Sequence, residues 1–404
     1  MGTEAHAALP GVRVLEYGRL VAAPYASKLL ADLGADVIKV EDPGGDPARK
    51  CGPFPEDRPH PENSGLFLYL NTSKSGVTLN MDSAEGRRLF GELAARSDVL
   101  IEDTPPGQMA SWGLDFATLH EQNQRLVMVS ITPFGQTGPC VHYKAHALTT
   151  FHAGGEGMLL PNGSDYVARP PVSLPGFAHD YDCGMTAAVA GLAALYHARA
   201  AGRGQHVDIS RQEAATAFMR QEISEYVATG VVSSRGKAAS YHRDVAPCKD
   251  GYVTVHFIND KEWEAFAEVM GNPEWAKSDR FKDVAGRREN HREMMQRLAE
   301  WTCQHTKLEI YTRAQVLHSP TGAHLTPDEL LASPQYAARG FFVDMTDPQG
   351  HAWRVPRGPC QFSETSFAVR RPAPRLGEHN DAVLCGQLGL LRETLARLRQ
   401  TGVV

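Results

Sequence analysis

Short apolar runs alternate with amphipathic segments over the first 131 residues, and this alternation predicts strands and helices in turn. The runs at 11–16 and 35–41 predict two strands, with a helix over 24–33 between them. The same pattern predicts further strands at 76–80, 98–102 and 126–131, with helices over 84–96 and 114–122. Alternating strands and helices form parallel sheets through right-handed crossovers, so we predict a doubly wound α/β layer. Lys39 and Glu41 are interpreted as solvated charges at a strand edge.

A long apolar segment near the middle of the chain predicts a buried helix that begins near Gly184 and ends at 201–204, before a strand at 206–210. Asp180 stands just ahead of it. A carboxylate at the positive end of a helix stays ionised and can act as a nucleophile or base, although a helix cap is the commoner role for an isolated aspartate. Asp182 lies nearer the predicted start, so we expect it to be the cap.

The pattern changes after residue 226, which indicates a second structural region. A strand is predicted at 251–257 and is followed by helices over 263–270, 291–303 and 308–316. The last residues form an amphipathic helix over 390–400. We predict a large domain over 1–226, a small domain over 227–330 and a C-terminal segment over 331–404, because a chain of 404 residues exceeds one compact core.

Composition narrows the class of protein. A net charge of −6 gives no electrostatic case for nucleic acid, and no apolar run approaches the roughly 20 residues of a membrane span. Seven scattered cysteines without a C-x-x-C pair are typical of reduced thiols, and the N-terminus lacks a signal pattern, so we expect a soluble cytoplasmic protein. His142 and His146 stand four residues apart but lack the accompanying glutamate of a zinc motif, and we predict no metal site.

Several motifs make the sequence similar to one family, the class III CoA-transferases, which includes formyl-CoA transferase, carnitine CoA-transferase and α-methylacyl-CoA racemase. The resemblance begins with the segment 11–41 and runs in the family's order to the C-terminal region. The matching motifs are Gly44-Gly45-Asp46-Pro47, Leu70-Asn71-Thr72-Ser73-Lys74-Ser75, Phe134-Gly135-Gln136-Thr137-Gly138-Pro139, Gly202-Arg203-Gly204-Gln205, Ala338-Arg339-Gly340-Phe341-Phe342 and Pro374-Arg375-Leu376-Gly377-Glu378-His379-Asn380.

The resemblance implies a Rossmann-like large domain, a smaller α+β domain and an interlocked homodimer in which the C-terminal segment returns to the large domain. It implies an enzyme that moves coenzyme A from an acyl-CoA donor to a carboxylic acid, with acyl-CoA as substrate and no permanently bound cofactor or metal. Asp180 stands four residues before Gly184, which matches the family's catalytic aspartate. In such enzymes this aspartate forms an acyl anhydride and then an aspartyl-CoA thioester.

The resemblance also implies a set of coenzyme A contacts. Two arginines that hold the nucleotide in formyl-CoA transferase correspond to Asp42 and Ser111 here. Arg19 and Arg49 are therefore our candidates to neutralise the phosphates in their place. The positions that match family contacts directly are Val21, Ala22, Leu79, Asn80, Met81, Asp103, Thr104 and Lys144.

Two alternatives stay open at this point. His146 stands where the racemases have a base, so it is either a substrate-facing acid or base or a structural histidine. The residue after it is Ala147 rather than aspartate, and the racemase glutamate position falls on or near Asn259, which weighs against a 2-methylacyl-CoA racemase or related isomerase. A silent CoA-binding module is the third hypothesis. The glycine-rich loop of the formyl-CoA transferases, expected near 233–247, is not matched.

Overall fold

The computed structural model describes residues 6–161, 168–235, 244–347 and 349–404, and its described part divides into two compact units. The first unit comprises the described parts of Met1–Gly157, Ser173–Ser224 and Ala337–Val404, and the second those of Met158–Val172 and Glu225–Tyr336. These units are compact groups of residues, and the folding domains proposed at 1–226, 227–330 and 331–404 stay a prediction. Among the described residues no helix is long and apolar enough to cross a membrane.

A parallel sheet of six strands forms the centre of the first unit, as the alternating pattern predicts. The strands of this part of the chain are β1 (His6–Ala7), β2 (Arg13–Tyr17), β3 (Asp36–Glu41), β4 (Ser75–Thr78), β5 (Val99–Glu102), β6 (Val127–Thr132) and β7 (His206–Ser210). The order in the sheet is β4-β3-β2-β5-β6-β7, and every neighbouring pair is parallel. All residues of β4, β5 and β6 are buried, which is the pattern of strands covered on both faces.

Helices cover both faces of this sheet. The helices along this part of the chain are α1 (Ala22–Asp32), α2 (Gly65–Leu70), α3 (Ala84–Ala95), α4 (Gln108–Ser111), α5 (Phe116–Gln122), α6 (Ala147–Ala153), α7 (Ala178–Ala201), α8 (Arg211–Thr216) and α9 (Arg220–Thr229). One apolar cluster joins α1 and α7 to the sheet, through residues such as Leu30 and Ala187. The other joins α3 and the C-terminal helix to the opposite face, through residues such as Phe90 and Leu398.

The strand order reverses between β2 and β5. The chain runs outward from β2 through β3 to β4, and then outward on the other side from β5 through β6 to β7. The loops that leave the carboxyl ends of β2 and β5 therefore diverge and open a crevice at this edge. In doubly wound sheets, ligands bind at such a switch point.

The second unit is a small antiparallel sheet with helices. Its strands are β8 (Val245–Cys248), β9 (Gly251–Val255) and β10 (Thr321–Ala323), in the order β10-β9-β8. The helices here are α10 (Asp260–Val269), α11 (Val284–Glu289), α12 (His291–Thr302), α13 (Lys307–Val316), α14 (Pro327–Ala332) and α15 (Pro334–Ala338). Trp263, Phe266 and Leu298 lie at the centre of its own apolar core.

The C-terminal residues complete the first unit. They form the hairpin β11 (Phe342–Thr346) and β12 (Ala352–Pro356), the short strand β13 (Thr365–Ser366), a π-helix (Asp381–Gln387) and α16 (Arg392–Gln400). Strand β13 pairs in parallel with β1. The Asn380 side chain accepts a hydrogen bond of 2.9 Å from the Thr78 backbone N–H and so joins this segment to the end of β4.

Three expectations about local structure are wrong. Helix α7 begins at Ala178, so Asp180 lies in its first turn rather than ahead of it. Asp182 lies inside the same helix and does not cap it. The helix begins about two turns earlier than predicted, because His179, Asp180 and Cys183 are buried and pack its first turns against the protein. Lys39 and Glu41 are buried rather than solvated, since both are ion-paired inside the fold.

Candidate active site

Asp180 is a buried carboxylate in the first turn of α7. The residue is 4 % exposed, and the Arg211 Nη1 atom donates a hydrogen bond of 3.1 Å to its Oδ1 atom. Aspartate is stabilising in the first turn of a helix, where unpaired N–H groups carry a partial positive charge. The carboxylate is therefore withdrawn from bulk water and held by a cation, which is an arrangement that orients one oxygen.

Arg211 connects Asp180 to the sheet edge. It opens α8 directly after the carboxyl end of β7, where the Ser210 hydroxyl caps the helix by accepting from the Glu213 N–H. The Arg211 Nη2 atom lies 3.8 Å from an Asp103 oxygen, and Asp103 follows β5. The Arg19 backbone N–H, which follows β2, donates to both Asp103 oxygens at 3.1 Å. Residues that follow β2, β5 and β7 therefore meet at the contact between Arg211 and Asp103.

The two carboxylates beside Arg211 differ in how well their charge is compensated. Burial raises the pKa of Asp180, and Arg211 and His179 oppose that rise. Burial raises the pKa of Asp103 to about 7, against the opposing effects of Arg211 and the Arg19 N–H. Asp180 has the shorter contact with the cation, so it is the better supported anion of the two.

Gly184 allows α1 to pass close to the first turns of α7. A Cβ atom at Gly184 would lie 2.6 Å from the Ala22 carbonyl oxygen and 3.2 Å from the Tyr25 Cβ atom. Only a glycine fits this approach without moving the backbone. The contact fixes the start of α1, and with it the loop after β2, against the helix turn that carries Asp180.

Buried ion pairs stabilise the loop after β2 and the start of α1. Lys39 and Lys74 donate to the Glu16 carboxylate at 2.8 and 2.7 Å, and all three side chains are fully buried. Lys39 also donates to the Gly18 carbonyl at 3.0 Å, and Lys74 to the Pro24 carbonyl at 2.8 Å. Lys39 therefore connects the anion to the loop after β2, and Lys74 connects it to the first turn of α1. Burial favours a neutral Glu16, but the two lysines together lower its pKa to about 2.

Most of the coenzyme A positions proposed from the family lie at the carboxyl edge of the sheet. Val21 and Ala22 are buried at the start of α1. Thr104 follows β5 and donates both its N–H and its hydroxyl to Glu102. After β4, Leu79 and Met81 are buried, and Asn80 is half-buried with its N–H donating to the Val403 carbonyl. The segments 21–22, 79–81 and 103–104 therefore share one edge, which is the geometry that a nucleotide site needs.

The three proposed cations have different environments. Arg49 is 2 % exposed, and its guanidinium is bound by Glu41 and Glu62 at 2.7 and 2.9 Å. Its charge is thus already compensated inside the fold. Arg19 is half-exposed and pairs with Asp42 at 2.7 Å. Lys144 is exposed in the segment before α6.

His146 is exposed and stands at the N-cap position of α6, where its carbonyl accepts the Thr149 and Thr150 N–H groups. Asn259, on or near which the racemase glutamate position is expected, caps α10: its side-chain oxygen accepts the Glu262 N–H at 3.0 Å. Residues 236–243 of the unmatched glycine-rich loop lie outside the described residues.

A small cavity lies between α6 and the beginning of α7. Its walls include Ala147, Leu148 and Phe151 on one side and Phe177 and His179 on the other. His179 and Asp180 are consecutive residues in the first turn of α7, so the cavity borders the turn that carries the carboxylate, while Asp180 itself is not part of its lining. An apolar lining of this kind can pack against the methylene groups of an acyl chain.

Sequence reasoning identified Asp180 through the family register but missed Arg211. One signal was available, because Arg211 follows a predicted strand directly and the carboxyl ends of parallel strands carry the ligand site. The described residues contain no group of three His, Cys, Asp or Glu side chains placed to hold a metal ion.

Comparison with known proteins identifies the family of this chain. The model of CoA-transferase family III matches residues 9–380. The chain is 32 % identical over 407 residues to succinyl-CoA–D-citramalate CoA-transferase of Chloroflexus aurantiacus, covering 98 % of both proteins. It is 31 % identical to succinate–glutarate CoA-transferase of Agrobacterium fabrum, covering 93 % of this chain and 94 % of that one. A CAIB/BAIF family protein from Brucella suis superposes with a TM-score of 0.83 and 30 % identity, covering 94 % of this chain and 99 % of that one. The chain belongs to CoA-transferase family III.

Proposed function

We propose that this protein transfers coenzyme A from an acyl-CoA donor to a carboxylic acid, with Asp180 as the nucleophile. The observation that carries the proposal is the buried Asp180 carboxylate, held by Arg211 at the carboxyl edge of the sheet. The named relatives are CoA-transferases, which favours transfer over the racemase alternative.

The reaction proceeds by covalent catalysis. An Asp180 oxygen attacks the thioester carbonyl, a C–O bond forms, and the C–S bond breaks to release coenzyme A thiolate. The thiolate then attacks the aspartyl carbonyl and releases the donor acid, which leaves an aspartyl-CoA thioester. The acceptor carboxylate attacks that thioester, and the thiolate finally takes the acceptor acyl group and restores Asp180. Each step exchanges one acyl bond for another of similar energy, so no external energy source is needed.

The names of the relatives suggest the substrate class. They combine succinyl-CoA with D-citramalate, (R)-benzylsuccinate or L-malate, and one pairs succinate with glutarate. We extend this class to the present protein, with succinyl-CoA as donor and a second dicarboxylic acid as acceptor. Coenzyme A enters and leaves as a substrate, and the proposed mechanism needs no resident cofactor.

The backbone of 21–22, 79–81 and 103–104 is proposed to contact coenzyme A, with Arg19 and Lys144 facing its phosphates. Both cations are accessible to a ligand, which supports that role. Arg49 fits it poorly because Glu41 and Glu62 already surround its guanidinium. For His146 we propose contact with the substrate, because its ring is exposed and forms no hydrogen bond with another described residue.

We further propose a homodimer. Helix α7 has an apolar composition, yet Met185, Val189 and Tyr196 are 47 %, 65 % and 79 % exposed in the single chain. Large apolar side chains along one central helix are typical of a surface that a partner covers. The interlocked form implied by the family would cover them with a second copy of this chain.

A substrate panel combined with Asp180→Asn tests the transfer function. We expect the wild type to form new acyl-CoA from succinyl-CoA and a dicarboxylic acid, and the variant to lose transfer while it binds coenzyme A with unchanged affinity. Mass spectrometry of the products and calorimetry of binding measure the two properties. Full turnover by Asp180→Asn would refute the proposal, and exchange of the substrate α-hydrogen with deuterated solvent in the absence of acceptor would favour the isomerase instead.

A further inference from the structure

Arg211 has a carboxylate on each side. Its Nη1 atom lies 3.1 Å from Asp180 and its Nη2 atom lies 3.8 Å from Asp103. The arginine side chain is 17 % exposed and both carboxylates are 6 % exposed. One buried cation therefore has two buried anions within reach, and the proposed reaction uses only one of them.

The proposed reaction changes the charge of only one of the two carboxylates beside Arg211, that of Asp180. When the Asp180 oxygen attacks the thioester, the C–S bond breaks and the negative charge leaves on the coenzyme A sulfur, so Asp180 becomes one half of a neutral mixed anhydride. Arg211 then faces a neutral partner. A buried cation without an anion is strongly destabilised, so a second counter-ion is needed for as long as Asp180 carries an acyl group or coenzyme A.

Asp103 is placed to be that counter-ion. Its two oxygens accept the Arg19 backbone N–H, which holds the carboxylate at the end of β5 and facing Arg211. The hydrogen-bond donors of Arg211 fit both states, because one terminal nitrogen faces each carboxylate. The guanidinium can thus shift its principal contact from Asp180 to Asp103 without leaving its position.

We propose that Arg211 and Asp103 form a positioning pair, in which Arg211 orients Asp180 for attack and Asp103 retains Arg211 while Asp180 is acylated. The inference rests on the proposed transfer function and adds a role for two side chains that do not react. Both are positioning residues, since each acts through Asp180.

Three variants and a control test the pair. Arg211→Gln removes the cation, Asp103→Asn removes the second anion without a change of shape, and the double variant removes both. Arg203→Gln is the matched control, because Arg203 is an exposed arginine that forms no hydrogen bond or ion pair with the described residues. Intact-protein mass spectrometry measures the acylated fraction after mixing with succinyl-CoA, and stopped-flow measures thiolate release in a single turnover.

We expect Arg211→Gln to lower the rate of thiolate release by about 100-fold, the usual cost of misplacing a reacting group by 1 Å, with KM for succinyl-CoA unchanged. Asp103→Asn should lower the acylated fraction at equilibrium at least fivefold and change the rate of attack less. Arg211 opposes the rise in the pKa of Asp103, so in Arg211→Gln the Asp103 carboxyl is neutral and has no cation to retain. The double variant should therefore be as slow as Arg211→Gln alone. Arg211→Lys, which keeps the charge, should recover part of the rate.

Two outcomes would overturn the pairing. The first is that the effects of Asp103→Asn and Arg211→Gln multiply independently in the double variant. The second is that Asp103→Asn, whose shape is conserved, leaves the acylated fraction at the level of the Arg203→Gln control. Failure of the transfer function itself is distinguishable, because the wild type would then show no acyl adduct on Asp180 at all.

Discussion

Replacing Gly184 by alanine tests whether the close crossing of α1 and α7 supports the site. The new Cβ atom would lie 2.6 Å from the Ala22 carbonyl oxygen, and the helices must separate by at least 0.4 Å before the contact reaches 3.0 Å. Overpacking of this kind costs about 1–3 kcal/mol. The same movement shifts the turn that carries Asp180, and we expect kcat to fall about tenfold, since displacements of 1 Å cost roughly 100-fold.

Gly191→Ala is the matched control, because Gly191 lies in the same helix and its added Cβ would meet only the Val129 side chain at 3.3 Å. Both substitutions gain the same helix propensity, about 1 kcal/mol, so the difference between the two variants isolates the overpacking cost. Urea unfolding and hydrogen exchange of α1 and α7 should place Gly184→Ala about 1–3 kcal/mol below Gly191→Ala. Equal stabilities, or unchanged kcat in Gly184→Ala, would refute the reasoning.

Glu16→Gln should cost about 3–5 kcal/mol of unfolding free energy, because it leaves Lys39 and Lys74 buried with less counter-charge. The pKa of Glu16 is lowered from 4.5 to about 2, so the wild type should lose this stabilisation as the pH falls through that window, and Glu16→Gln should not. The pH dependence due to Asp103 has the opposite sign. Its pKa is raised from 3.8 to about 7, so between these values the folded state keeps a proton that the unfolded state has lost. The free energy of unfolding should therefore fall as pH rises from 4 to 7. Asp103→Asn should remove that fall in urea titrations, and a stability profile parallel to that of the wild type would contradict it. Val189→Glu should turn a dimer into monomers in light scattering, because it places a charge on the exposed apolar face of α7, and an unchanged dimer would exclude this face from the interface.

The sheet of the first unit was predictable because its strands are short apolar runs between amphipathic helices. Each predicted strand from β2 to β7 is present; β7 has the predicted bounds, and the ends of the others agree to within two residues. The start of α7 was predicted wrongly because apolar periodicity begins only at Met185, while the polar residues His179 and Asp180 are buried by the fold rather than by their own character.

The buried charges could not be inferred from the sequence. Lys39 and Lys74 are separated by 35 positions in the chain (74 − 39), and only the fold, in which β3 lies between β2 and β4, brings Lys39 and the residue before β4 to Glu16. Alone, a lysine in a strand suggests a solvated edge. Arg49 illustrates the same limit, since the need for a phosphate partner suggested an exposed cation and the fold places it between Glu41 and Glu62.

The candidate site also has a part that the sequence predicts and a part that only the fold brings together. The family motif located Asp180, and the positions of the loops at the carboxyl edge follow from the order of strands and helices. Arg211 and Asp103 are 108 positions apart (211 − 103), and their meeting depends on β5 and β7 both ending at the switch-point edge. No local sequence pattern predicts a contact between residues so far apart in the chain.

Trapping with hydroxylamine tests the central claim most directly. The protein is mixed with succinyl-CoA, quenched with hydroxylamine and digested, and the peptides are sequenced by mass spectrometry. The account predicts a hydroxamate on Asp180, formed within a single turnover and missing from Asp180→Asn. A hydroxamate on any other carboxylate, or continued transfer in a protein whose Asp180 is never modified, would contradict it.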